Sequence, residues 1–428
     1  MILKRKKYRR LLVCFLLINI ICIFAYGYYL INDKIPDKLK VSVGSASDFD
    51  LELPLVAKTH VENVSVVSID QKPLAKNDIT LDLRSPFSVE LSESGNYQVN
   101  LQFLGITLKK IDVEAVETKR VMPVGEPVGI HIKTKGVMVL GTGKITDQNG
   151  NSLEPAKGIV KSGDYIQGVD GVPVTDISDM TRLVEESCGA PLMLNILRDD
   201  QAIDLQVVPV LSSGGDYKTG IWIRDDTQGI GTVSFVDEDN HFAALGHGIT
   251  DIDTSLLIDI GGGSLYPASV SNIVKGANGN PGEMVGTIYY SQNNCLGVIN
   301  KNTSAGIFGE LYENSPWQYD DSKAFEIGFK QDMHVGAAEI LCSVDGEVKA
   351  YEININSIDY NSHEDNKDFV IEITDDALLE KTNGIIQGMS GSPIIQDGKL
   401  VGVTTHVFLN DCKRGYGIFA ETMLGEMS

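Results

Sequence analysis

Gly388-Met389-Ser390-Gly391-Ser392-Pro393 is the stretch on which the reading of the chain turns. A nucleophilic serine must present its Oγ on a sharp turn, with backbone N–H groups aimed where an oxyanion will form, and neighbouring glycines permit that backbone. In this Gly-x-Ser-Gly-x-Pro arrangement the N–H groups of Gly388 and Ser390 can converge on one point and form an oxyanion hole. The apolar run Lys399–Thr405 that follows reads as a strand walling the nucleophile. Around it, from about Gly220 onward, the chain is β-formers, glycines and short turns with few long helices, which is the texture of a β-barrel or sandwich.

A serine hydroxyl needs a base. The seven histidines are His60, His131, His241, His247, His334, His363 and His406. His60 and His131 precede the segment expected to be catalytic. His247, flanked by glycines at the end of the apolar run Phe242–Leu245, has the strand-end setting of a catalytic histidine, whereas His406 belongs to the strand after the serine and would line the substrate cleft. A carboxylate should fix the imidazole tautomer. Asp251, Asp253, Asp375 and Asp376 are all candidates, and spacing does not choose among them. The serine stretch resembles the nucleophile motif of chymotrypsin-like serine peptidases, with Ser390 in the nucleophile position and Ser392 where those enzymes often carry glycine. Neither His-Glu-x-x-His nor paired cysteine ligands occur, and Gly141-Thr142-Gly143-Lys144 lacks the first glycine of a phosphate loop, so no metal and no cofactor are expected.

Composition sets the surroundings. The chain has 428 residues with 36 Lys+Arg against 58 Asp+Glu, a net charge of −22. Six of the positive charges lie in the first ten residues, so the remainder is more acidic still. Such a body is repelled by phosphate backbones, and no nucleic-acid partner is expected. After that basic segment (1–10), Leu11–Ile31 is 21 residues without a formal charge, long enough to span a bilayer. Read as a retained signal-anchor, it keeps the positive end in the cytoplasm and places the rest outside, with Tyr26, Tyr28 and Tyr29 at the interface. Cys14 and Cys22 lie in this span, and the other four cysteines are scattered.

Residues 32–118 read as a small β-rich spacer module of short alternating strands, among them Val61–Val67 and Tyr97–Phe103. Residues 119–210 carry strands near Gly129–Lys133 and Gly136–Leu140, the run Lys161-Ser162-Gly163-Asp164-Tyr165-Ile166, an Asp170-Gly171 turn and a helix over Ile177–Ser187 with Ile177, Met180, Leu183 and Val184 on one side. That order resembles a PDZ domain of the bacterial protease type. Such a domain adds a peptide as an extra strand and captures its terminal carboxylate on backbone N–H groups. Here the carboxylate loop would fall at Gly125, Gly129 and Ile130. The fold expected is therefore mainly β: an N-terminal transmembrane helix (11–31), the β module, the PDZ domain and a trypsin-like β-barrel peptidase domain (211–428).

Two longer runs sharpen the resemblance. Ala244–Thr254 (Ala-Leu-Gly-His-x-Ile-x-Asp-x-Asp-Thr) and Ile373–Ile395, with Thr405-His406-Val407-Phe408 and Gly415-Tyr416-Gly417, are similar to the SpoIVB peptidase family, the stage IV sporulation protein B of endospore-forming bacteria. The resemblance implies Ser390 as nucleophile, His247 as base and Asp375 as the aspartate, with Asp376 as the alternative. It further implies a signalling peptidase anchored in the forespore membrane, its catalytic portion in the intermembrane space. Its substrate would be a regulatory membrane protein of the stage IV FA type, a subunit of an intramembrane protease complex that releases a late sigma factor. Self-cleavage in trans and PDZ-controlled recognition would accompany this. The competing reading is a non-catalytic PDZ scaffold with a trypsin-like binding domain.

Overall fold

The computed structural model describes every residue except 1, 50–55, 62–66, 71, 74–77, 104–105, 363–365 and 428. Strand makes up 52% of the chain and helix 15%, so the class is mainly β. The first element is α1 (Ile2–Lys34). Its stretch Tyr8–Tyr29 has a mean hydropathy of 2.4 and packs against nothing, and it is long and apolar enough to cross a membrane.

The module that follows is two sheets. A five-stranded sheet, in the order Lys38–Ser42, Ile106–Val116, Gly95–Phe103, Val56–Val61 and Asp78–Asp82, accompanies a four-stranded one. Leu39, Val41, Leu83, Leu91, Leu101 and Val113 form the core. The expected strand over Tyr97–Phe103 is present, whereas most of the one over 61–67 lies outside the described residues. Asn361 joins this module to the rest of the protein: its Nδ2 donates to the carbonyls of Asn32 (2.7 Å) and Ile35 (2.9 Å), and its Oδ1 accepts from the Asp37 amide.

Two closed barrels carry the remainder. The first is built from β1 (Arg120–Thr142), β5 (Ile221–Val236), β6 (His241–Ala244), β7 (Ile260–Val274), β9 (Gly297–Thr303) and β10 (Gly306–Leu311); β2 to β4 belong to an inserted lobe, and β8 (Glu283–Ile288) pairs antiparallel with the second half of β7. Pairing runs β1–β5–β6–β10–β9–β7 and returns to β1, a six-stranded ring. The second comprises β11 (Gly336–Ser343), β12 (Val348–Ile358), β13 (Phe369–Ile373), β14 (Pro393–Gln396), β15 (Lys399–Phe408) and β16 (Asp411–Phe419). It closes β11–β12–β13–β16–β15–β14 and back to β11, again a ring of six.

Sequence alternation explains each ring. In β12, Tyr351, Ile353 and Ile355 point inward at the two-residue period of a strand, and in β13 Phe369, Ile371 and Ile373 do the same. Phe235, Phe308, Leu400, Val403 and Ile418 form a third core between the barrels. This layer fixes the groove between them.

The inserted lobe contains β2 (Tyr165–Val169), α2 (Ile177–Glu186), β3 (Leu192–Arg198) and β4 (Gln201–Val207) around Val139, Ile166, Met180, Val184, Leu194 and Ile196. Asp176 caps α2 by accepting from the Asp179 amide. Met180 and Val184 face this core, but Ile177, expected on the same side, is exposed because it sits in the first turn, at the lobe's rim.

No linker separates the lobe from the first barrel. β1 is one strand of 23 residues, and β5 pairs with it from Met122↔Val236 out to Thr142↔Ile221. The division expected between residues 119–210 and 211–428 is therefore bridged by the pairing of β1 with β5, and His131, expected outside the catalytic domain, lies in the first barrel. Gly125, Gly129 and Ile130 also require correction as a carboxylate loop. All three are inside β1, where Gly129 and Ile130 are paired with β5 on one edge and β7 on the other. Their ladder positions are filled, and they lie in the barrel rather than beside α2. Gly129 is glycine because a Cβ would run into the Ile288 side chain.

Candidate active site

His247 and Ser390 come from different barrels. After β6 the chain turns through Leu245 (φ 74°) and Gly246 (φ 70°), where a Cβ on Gly246 would lie 2.7 Å from Val403 Cγ2 of β15. That close approach presses His247 against the second barrel. Its Nδ1 donates to the Gly248 carbonyl at 3.0 Å, which leaves Nε2 with the lone pair of a base. Burial moves its pKa below the ordinary 6.5, against the opposing pull of that carbonyl. The His406 ring lies 4.8 Å away, tilted 37°. Desolvation, then the neighbouring His247 and Lys367, push the His406 pKa down to about 4. Both rings are neutral at neutral pH.

Ser390 stands on a turn held from several sides. Gly388 (φ 101°) and Gly391 (φ 97°) adopt backbone that glycine favours, and a Cβ on Gly391 would lie 2.6 Å from the Leu245 amide nitrogen. Thr232 donates from its amide to the Ser390 carbonyl (3.2 Å) and from Oγ1 to the Gly388 carbonyl (2.6 Å). The amides of Met389, Gly391 and Ser392 are bonded to Ile386, Thr404 and Met389 carbonyls. Among the described residues, those of Gly388 and Ser390 donate to nothing. Two unspent amides flanking a serine on a rigid turn are the donors an oxyanion requires. Ser390 Oγ itself donates to the Thr405 carbonyl at 2.7 Å, so its proton is turned toward β15. Ser392 is fully buried beneath the turn.

Ser390, Gly388, His247 and His406 line one cleft of about 810 Å³ between the barrels. Asp375 does not. It caps α3 (Asp376–Thr382) by accepting from the Leu378 amide at 2.9 Å, and its own amide donates to Glu352 of β12. The expected aspartate is thus committed to a helix start on the far part of the second barrel, and Asp376 follows it in the same turn. Asp251 and Asp253 are both bound to Arg224. The Gly248 carbonyl takes the tautomer-fixing role in this geometry. His131, His241 and His334 pair with Asp226, Asp237 and Asp397, and His363 lies outside the described residues. Reasoning from sequence missed Thr232, Thr405 and Arg224. Thr405 stands in the quoted run beside His406, but nothing local marks the other two.

A serine and a histidine lining one groove between two closed β-barrels, with free amides beside the serine, define a serine peptidase. Residues 215–424 match the family model described as SpoIVB peptidase S55, and this part of the protein is an S55 peptidase domain. No curated protein matches the chain. Among solved structures, the Rv3671c protease in its inactive form is 13% identical, with 46% of this chain and 84% of that one covered and a TM-score of 0.26. Its active form, from M. tuberculosis, is 15% identical over 47% and 73%, with a TM-score of 0.24. Those scores are too low to place any element or residue.

Proposed function

We propose that the protein is a membrane-anchored serine endopeptidase of sporulation signalling, with Ser390 as nucleophile, His247 as general base and acid, and the Gly388 and Ser390 amides as oxyanion hole. The observation that carries the reading is the pair of unspent amides beside Ser390 in the cleft that also holds His247. Rotation about χ1 frees the Ser390 hydroxyl from Thr405. His247 Nε2 takes its proton as Oγ bonds to the scissile carbonyl carbon, and the two amides receive the oxyanion. His247 then returns the proton to the leaving amine, and water repeats the sequence to release the acyl group.

The substrate proposed is a regulatory membrane protein of the stage IV FA type, with other copies of the chain cleaved in trans. The family resemblance and the peptidase domain support this. The apolar helix α1, behind a basic segment, supports an anchor in the forespore membrane with the catalytic part in the intermembrane space. The order of β1, β2, α2, β3 and β4 supports a PDZ-type role for the inserted lobe, its peptide groove beside α2. Treatment of the full chain with a fluorophosphonate, followed by peptide mass spectrometry, tests the site. One adduct on Ser390, lost in Ser390→Ala and weakened in His247→Ala, is expected; labelling that survives Ser390→Ala would overturn it.

A further inference from the structure

The peptide units around Ser390 differ in what holds them. In a planar trans peptide the N–H points opposite to the C=O, so fixing a carbonyl also aims the amide of the same unit. The Gln387 carbonyl accepts from the Met284 amide of β8 at 2.9 Å, which directs the Gly388 N–H away from β8. The Met389 carbonyl accepts from the Ser392 amide at 3.0 Å, which sets the Ser390 N–H. Between these two lies the Gly388–Met389 unit, whose orientation fixes the angle between the two free amides. Its N–H bonds to Ile386 within the same loop, and its carbonyl is held from the first barrel by Thr232 Oγ1 at 2.6 Å.

The turn has little else to hold that unit. Met389 is fully buried in the apolar core of the second barrel and brings no charge. Ser392 Oγ and Thr404 Oγ1 are buried here and, among the described residues, bond to nothing. Gly388, at φ 101° and without a Cβ, puts little steric limit on rotation. The backbone of Thr232 serves other ends. Its amide donates to the Ser390 carbonyl, and its carbonyl accepts from the amide of Leu245, two residues before His247, each at 3.2 Å.

We propose that Thr232 is a positioning residue for the peptidase reaction: its hydroxyl holds the Gly388 carbonyl so that the Gly388 and Ser390 amides converge on the oxyanion. This rests on the serine-peptidase reading. The hydroxyl touches no reacting atom and acts through the turn. Its effect grows as charge develops on the substrate oxygen, because donors already aimed at one point stabilise that charge without reorganising. Nucleophile and base are tied by the backbone bonds of the same residue, so removing the hydroxyl separates the oxyanion hole from the rest of the machinery.

The test uses the full-length protein in detergent and a fluorophosphonate, whose phosphoryl oxygen takes the oxyanion's place as Ser390 attacks. Adduct formation on Ser390 is followed by mass spectrometry over a range of reagent concentration and pH. Thr232→Val keeps the branched shape and the backbone bonds. Its maximal labelling rate is expected to fall roughly 10- to 100-fold. The half-saturating reagent concentration and the midpoint of the acid limb, which reports His247, are expected to stay where they are. Thr232→Ser returns the hydroxyl and should recover most of the rate. A Thr232→Val variant labelled as fast as the unaltered protein overturns the proposal and leaves the serine reading intact. So does a displaced acid limb, which would put the effect on the base, or an equal loss in Thr232→Ser, which would make the role one of packing. If thermal unfolding shows that Thr232→Val does not fold, Thr232→Ala takes its place under the same criteria. An unaltered protein that is never labelled on Ser390 would overturn both readings together.

Discussion

Ser390 and His247 share a cleft while the serine proton points at Thr405, so the nucleophile is poised but turned aside. Ser390→Ala should reduce kcat to background and leave the unfolding temperature within a degree or two, since the buried support of the turn is made by Thr232 and backbone groups. Because His247 must be neutral to act and its pKa is lowered, activity should persist as pH falls below 6.5, and the acid limb of kcat/KM against pH should lie beneath the ordinary histidine range. Asp375→Asn should be nearly silent, as asparagine caps a helix as well as aspartate does, while Asp375→Ala should cost about 1 kcal/mol in denaturant unfolding. A large fall in kcat for Asp375→Asn would return that residue to the catalytic centre. Asp368 is pushed up to about 6 by burial, with the Phe419 amide and Lys330 opposing and Glu421 adding to the rise. Its folded pKa exceeds the unfolded one, so its contribution is present at low pH and lost as pH rises through about 6. Asp368→Asn keeps an acceptor for the Phe419 amide and should raise the unfolding temperature at pH 7.5 but not at pH 4.5. That Ser390 stands on a glycine-bounded turn and His247 at a strand end was legible, because each setting is marked within a few residues. The role of Asp375 was not, because a carboxylate's partner is decided by which distant strand it meets.

At the scale of elements, the segment that follows His247 links the cleft to the lobe. Asn302 of β9 accepts from the Ile249 amide (2.8 Å) and donates to the carbonyls of Ile249 (3.0 Å) and Ile258 (2.9 Å). Beyond these, fully buried Asp251 is paired with Arg224, which also bonds Asp253 at 2.7 Å, and the Asp259 amide donates to Tyr165 Oη of β2 at 2.8 Å. Arg224→Met leaves the buried Asp251 carboxylate its hydrogen bonds from the Asp253 and Thr254 amides but no counter-charge, and should destabilise the protein by roughly 3–5 kcal/mol. Kinetics at a temperature where the variant remains folded should show kcat/KM reduced at least several-fold, with Arg224→Lys in between. Helix α2 was read to within a residue because its cap and period are local signals. β1 was read as two strands, since Gly129 and Gly136 look like breaks; Gly129 is instead demanded by the crowding side chain of Ile288.

Across the whole molecule, mainly-β texture was visible in composition, but the closure of two six-stranded rings depends on pairings such as β1 with β7 and β13 with β16, between strands far apart in sequence. The lobe enters by β1 and leaves by β5 at adjacent positions of one ribbon. Joining Met138, which pairs with Arg224, to that residue through an Asn-Gly turn keeps the counter-charge of Asp251 and should therefore yield a chain whose barrels still fold cooperatively. Retained cooperative unfolding by circular dichroism is the expected outcome, and a molten product would show that the lobe props up the barrels. The shared ribbon also has mechanical meaning. A flexible linker would let the lobe swing freely and dissipate any push it received. Here β5 runs on from lobe to barrel while β1 bulges between Lys133 and Met138, so a push on the lobe reaches, through one continuous strand, the wall from which Ile130 and Thr232 reach the nucleophile's groove and turn.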